Sequence, residues 1–137
     1  MNPVVVDSSV AFKWLSPHGE SGLERAVELL LSHRAGELAL MAPAFLQIEL
    51  ASSLRHSRYL DRDETIALVG ALDELDIGLI ESTPTRLVAA TDLSYRHGTS
   101  VYDALFLALA EELDCPLVTA DRKAFAGIDS QVEIRLL

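Results

Sequence analysis

Pro3-Val4-Val5-Val6-Asp7-Ser8-Ser9 sets the architecture of this chain. Three β-branched residues run without a break into a carboxylate and two hydroxyls. An apolar run this short and unbroken reads as a strand buried on both faces, as in a parallel sheet under helices. A charge at the tip of such a strand needs a partner, a cap or a cation. In open α/β sheets, ligands collect at the carboxyl ends of the strands, and Asp7 stands at that end.

Strands and helices alternate from there onward. Ser8 to Leu15 is a short helix with Asp7 at its N-cap. Leu23, Ala26, Val27, Leu30 and Leu31 recur at helical spacing, which predicts an amphipathic helix over Glu20 to Arg34, ended by Gly36. Leu38 to Met41 is a second strand, and Pro43 opens a helix as a first-turn proline, running to about Arg58. Asp61-Arg62-Asp63-Glu64 has capping-box spacing, and its helix ends near Leu75. Gly78 to Glu81 is a third strand. Thr83-Pro84 starts a helix with Leu87, Val88, Ala90 and Leu93 inward, closing at His97-Gly98. Ser100 caps Val101 to Leu113, apolar nearly all round and therefore central. Pro116 to Thr119 is the fourth strand, Asp121 to Phe125 a turn or short helix, and Val132 to Ile134 an edge strand. This alternation predicts an α/β fold, a mostly parallel central sheet of four to five strands with helices on both faces, in one domain over residues 1–137.

Composition bounds the function. Half of the residues are apolar, enough for a globular core at this length. The longest apolar block, Ala104 to Ala110, is far too short to cross a bilayer. Met1-Asn2-Pro3 carries no basic leader signal, and the single Cys115 leaves no internal disulfide and no cysteine-based zinc site. A cytoplasmic location fits. The net charge of −10 argues against broad adhesion to nucleic acid and favours a basic partner, yet it is compatible with acids gathered in a metal pocket.

Four acids stand out, and each has an ordinary structural reading beside the chemical one. Asp7 fits an N-cap worth about 1 kcal/mol. Asp121 follows the fourth strand and also fits a cap. If the strands are parallel, Asp7 and Asp121 share one end of the sheet; two carboxylates meeting there repel, and a divalent cation removes that cost. Asp103 lies at N3 of the helix capped by Ser100, but its stripe continues with Phe106, Leu107 and Ala110, which turns it inward. Glu49 lies mid-helix between Phe45-Leu46 and Ser52-Ser53, beyond any capping role, and a surface glutamate is its ordinary alternative. An all-oxygen cluster suits Mg²⁺ or Mn²⁺ rather than zinc. Such a site is suited to hydrolysing a phosphodiester.

On these residues the chain resembles the PIN-domain ribonucleases, and within them the VapC-type toxins of bacterial toxin–antitoxin pairs. The matching segments are Val4-Val5-Val6-Asp7-Ser8-Ser9, Ile48-Glu49-Leu50-Ala51, Val101-Tyr102-Asp103-Ala104-Leu105 and Leu117-Val118-Thr119-Ala120-Asp121, in the family's order. The resemblance implies a PIN-like three-layer α/β/α fold and a Mg²⁺-dependent endoribonuclease. Its metal and catalytic residues would be Asp7, Glu49, Asp103 and Asp121, with Asp7 and Asp103 the main ligands and Ser8 and Thr119 as polar supports. It further implies a homodimer, a VapB-type antitoxin as partner, and transfer or ribosomal RNA as substrate. Lys13, Arg55, Arg58, Arg122 and Lys123 are the basic residues nearest the motifs, suited to holding RNA phosphates or simply to solvation. The competing readings are a housekeeping PIN nuclease of RNA processing and a non-catalytic interaction module in which the acids are caps. An aspartyl-phosphate enzyme fits less well, because Ser9 stands where a phosphatase needs a second acid.

Overall fold

The computed structural model describes residues 2–137. β1 (Asn2–Val6), β2 (Leu38–Pro43), β3 (Gly78–Ile80), β4 (Leu117–Thr119) and β5 (Ile134–Leu136) form one sheet in the order β3-β2-β1-β4-β5, every pair parallel. The helices are α1 (Ser8–Leu15), α2 (Leu23–Arg34), α3 (Leu46–Arg55), α4 (Arg62–Gly70), α5 (Pro84–His97), α6 (Val101–Leu113) and α7 (Arg122–Phe125), with a 3-10 turn at Leu72–Leu75.

β1 is central and is buried on both sides, as its sequence requires. Val5 joins the larger apolar cluster with α3, α5 and α6, whereas Val4 and Val6 join a second cluster with Val10, Ala26, Leu40 and Val118. Alternate side chains of one strand therefore enter two cores, which makes three layers. Burying each of these valines contributes on the order of 1.5–3 kcal/mol. α6 lies across the sheet with every residue from Ala104 to Ala110 buried.

This topology sets up one crevice. From β1 the chain moves to β2 and β3 on one side, then crosses to β4 and β5 on the other. The order reverses between β1 and β4, so connections leave their carboxyl ends in opposite directions, and such a switch point leaves an opening. Asp7 follows β1 there, and Asp121 follows β4.

Some boundaries differ from the sequence expectation. α2 starts at Leu23 rather than Glu20, because Gly22 holds a left-handed conformation (φ 68°) that precedes the helix. Its inward face is set by fully buried Ala26, whose carbonyl accepts the Trp14 indole N–H at 2.6 Å; Val27 and Leu31 are turned outward. Pro43 ends β2, paired with Ile80, instead of opening α3, which begins three residues later and stops at Arg55. A strand's last residue tolerates the missing N–H. The helix begun by the Asp61 capping box stops at Gly70, and the 3-10 turn carries the chain to Leu75. On α5, Leu87 and Val88 are exposed and Arg86 is buried in their place, donating to the Glu112 carboxylate and the Glu81 carbonyl. The edge strand is Ile134–Leu136, with Val132 packed into the core before it.

Candidate active site

Asp7 occupies the N-cap position of α1, with an extended backbone (φ −78°, ψ 153°), but its side chain makes no cap hydrogen bond. The carboxylate is instead held across the switch point. Its Oδ2 accepts from Ser9 Oγ at 2.6 Å and from Thr119 Oγ1 at 2.9 Å. Those two hydroxyls bind the opposite strand end in turn. Ser9 Oγ accepts the Ala120 N–H at 2.9 Å, and Thr119 Oγ1 accepts the Asp121 N–H at 3.0 Å. Asp7 is 3% exposed and Thr119 fully buried. Among the described residues nothing donates to Asp7 Oδ1, yet it is not sealed off from solvent.

The other three acids reach the same place from different elements. Asp7, Glu49, Asp103 and Asp121 all line one open cavity of about 570 Å³, together with Ser8, Ser9, Lys13 and Glu20. Glu49 enters from α3, and Ser8 Oγ donates to its Oε1 at 3.2 Å. Asp103 enters from the first turn of α6, where Ser100 Oγ accepts its backbone N–H at 3.0 Å. Asp121 does cap α7 through Oδ1, which accepts the Ala124 N–H at 3.0 Å.

The charges of this group conflict. Burial pushes the Asp7 carboxyl above its usual range; the Ser9 and Thr119 hydroxyls oppose that, and nearby Asp103 and Asp121 add to it. Glu49 is pushed up to about 7, first by burial and then by the Asp7 charge, against the Ser8 hydrogen bond. Asp103 is raised by burial and by Asp121, with Ser100 working the other way. Mutual repulsion among Asp7, Glu49, Asp103 and Asp121, brought from four parts of the fold, is what one shared site would produce.

The donor set fits a hard divalent cation: oxygen donors only, mutually repelling, with Asp7 Oδ1 open. Among the described residues, no three His, Cys, Asp or Glu groups stand close enough to ligate one ion directly as placed. Mg²⁺ retains several waters and takes only one or two carboxylates directly, so the wider spacing is compatible with it.

One residue of the site, Ser9, escaped the sequence reading; Lys13 did not, and His33 lies outside the acidic cavity. Ser9 is as close to Asp7 as any group, and the doubled serine after the acid was its only signal. Lys13 is buried on the cavity wall and paired with Glu20 at 3.1 Å. His33, from α2, accepts the Leu40 N–H at 3.1 Å and lies 2.8 Å from the Asp76 carbonyl, which gives it a structural role. His56 is exposed, hydrogen-bonded to the Ser52 carbonyl, and does not line the acids' cavity.

The PIN-domain model matches residues 4–130. The chain belongs to the PIN-domain family. Ribonuclease VapC1 of Mycobacterium tuberculosis, in two strains, is 31% identical to this PIN domain over 139 residues, covering 100% of this chain and 99% of the relative. The fold also matches solved structures at lower identity. VapBC2 from Rickettsia felis, bound to a DNA fragment from its promoter, superposes with a TM-score of 0.69 at 14% identity, covering 97% of this chain and 98% of the other. Mycobacterium tuberculosis VapC20, a sarcin-ricin loop cleaving toxin, gives 0.66 at 18% identity over 90% of each. The PIN-like fold expected from the sequence is thus established. Among the described residues, no helix is long and apolar enough to cross a membrane.

Proposed function

We propose that this PIN domain is a Mg²⁺-dependent endoribonuclease and the toxin of a VapBC-type pair, restrained by a VapB-type antitoxin in the cytoplasm and acting as a homodimer. The observation that carries the activity is the convergence of Asp7, Glu49, Asp103 and Asp121 on one cavity at the β1/β4 switch point. The kinship to Ribonuclease VapC1 supports ribonuclease action. Fold neighbours described as toxin–antitoxin assemblies support the antitoxin partner. Transfer or ribosomal RNA is the substrate class we favour.

Asp7 and Asp103 would hold the ion, with Asp121 and Glu49 completing the pocket. Mg²⁺, or Mn²⁺ in its place, supplies polarisation of the phosphate and a lowered pKa for the attacking water. The chain supplies the rest. Ser9 and Thr119 bind the same oxygen of Asp7 and leave Oδ1 for the cavity. Ser8 fixes one oxygen of Glu49. Glu49, held by Ser8 on the cavity wall, would orient the attacking water.

The test is cleavage of transfer RNA and ribosomal RNA by partner-free protein in Mg²⁺, Mn²⁺ or EDTA. Asp7→Asn and Asp103→Asn should each lower the rate by roughly 100-fold or more while folding is retained. Cleavage that survives EDTA, or that ignores both substitutions, overturns the reading.

A further inference from the structure

We infer that the RNA strand leaves the acidic site over a second cavity, where Lys123 and Arg96 hold the phosphates flanking the scissile one. This rests on the nuclease reading and adds a substrate subsite to it. The second cavity, about 520 Å³, is lined by Arg96, His97, Ser100 and Lys123, and it shares Asp103 and Asp121 with the acidic cavity. Those two acids thus border both cavities: the first is also lined by Asp7 and Glu49, the second by Arg96 and Lys123.

The placement follows from the fold. Gly98, in a left-handed conformation (φ 70°), ends α5 and turns the chain, so that Arg96 and His97 in its last turn stand beside the start of α6 and Asp103. Lys123 follows Asp121 by two residues on α7 and has no ion-pair partner among the described residues. Arg96 pairs with Asp92 at 2.9 Å, but both are largely exposed, and such a pair exchanges readily for a phosphate.

Charge accounting says why the strand needs this surface. A chain of net charge −10 repels a polyanion over most of its area. A divalent cation held by the acids would contact one phosphate and leave its neighbours along the strand uncompensated. Lys13, the cation lining the acidic cavity itself, is already committed to Glu20. Lys123 and Arg96 are the cations next along the continuous opening, and contacts of that kind position a strand without reading its bases.

The experiment uses an oligoribonucleotide carrying a site that the wild-type protein cleaves in Mg²⁺. Steady-state kinetics are compared for wild type, Lys123→Gln/Arg96→Gln and Lys123→Arg, across a salt series. Neither side chain reaches the acids' own hydrogen bonds, so kcat should be retained. KM should rise about tenfold in the double variant at low salt, with the slope of log(kcat/KM) on log[salt] shallower by roughly 1.4, the loss of two single-strand phosphate contacts. Lys123→Arg should behave as wild type. Trimming the oligonucleotide on one side of the cut, and not on the other, should erase the difference between wild type and double variant. Unchanged KM and salt slope, or a fall in kcat alone, overturns the subsite while leaving the nuclease standing. A wild-type protein that cleaves no RNA in Mg²⁺ overturns the nuclease reading itself.

Discussion

Glu49→Gln should make the metal-free protein more stable at alkaline pH, and the gain should fade on acidification. Glu49 is pushed from an ordinary value of 4.5 to about 7, by burial first and by Asp7 second. The folded state therefore keeps this proton to higher pH than the unfolded chain does. Its stabilising contribution is complete below about 4.5 and is lost as pH rises through about 7. At full weight the displacement corresponds to roughly 3 kcal/mol above that range. The side chain is only half-buried at an open cavity, so solvent screening reduces this to about 1–2 kcal/mol. Glutamine keeps the acceptor for Ser8 Oγ and carries no charge at any pH. For a chain of this size the gain corresponds to a Tm higher by about 3–6 °C at pH 8 in EDTA, shrinking towards zero near pH 4.5. Thermal melts of both proteins from pH 4.5 to 8 read this directly, because the difference between them isolates the one group. Saturating Mg²⁺ should raise the wild-type Tm at pH 8 more than that of Glu49→Gln. A difference that stays flat with pH, or a variant that melts lower at pH 8 in EDTA, would refute the crowding argument.

Thr119→Val, at a fully buried position, removes the hydroxyl that joins Asp7 Oδ2 to the Asp121 N–H. It should cost about 1–3 kcal/mol in urea denaturation and weaken Mg²⁺ binding measured by calorimetry, with Thr119→Ser recovering most of both. Arg86→Met conserves volume but breaks the bidentate contact to Glu112 and the bond to the Glu81 carbonyl. Because Glu112 is half exposed and rehydrates, the loss should be about 1–2 kcal/mol by denaturation, with RNA cleavage at permissive temperature unchanged.

The parts of the fold legible in the sequence were those where one local rule agrees with tertiary burial. Val4 to Val6 is apolar on both faces because both faces are covered, and Ala104 to Ala110 because α6 crosses the sheet. Thr83, Ser100 and Asp61 announce helix starts through their own cap bonds. Misplaced boundaries fall where a local signal has two meanings. A proline before an apolar run ends a strand as readily as it opens a helix, and Pro43 does the former. On α2 and α5 the period was right and Ala26, Ala90 and Leu93 are buried as it implies, but the phase was off at Val27, Leu31, Leu87 and Val88, which face outward, while Ala26 makes the close approach to Trp14 and Arg86 is buried against Glu112. Phase depends on the partner surface, which one sequence does not contain.

The acids illustrate the same limit more sharply. Each had a capping or surface reading at the level of sequence, and one of those readings is true: Asp121 does cap α7. A cap and a site ligand are compatible, since a carboxylate has two oxygens and a cap uses one. What separates Asp7 from a cap is the destination of its hydrogen bonds, which run to Ser9 and across the sheet to Thr119 rather than to the helix it precedes. Those bonds favour the ionised form, yet burial outweighs them, with Asp103 and Asp121 pushing the same way. Hydroxyl donors are therefore supplied to Asp7, yet its carboxyl stays above its usual range. Among the described residues Lys13 is the one cation lining that cavity, and it is paired with Glu20. On the proposed nuclease reading a polyanionic substrate would deepen the crowding of negative charge, and a small, hard cation between the carboxylates and the phosphate would relieve it.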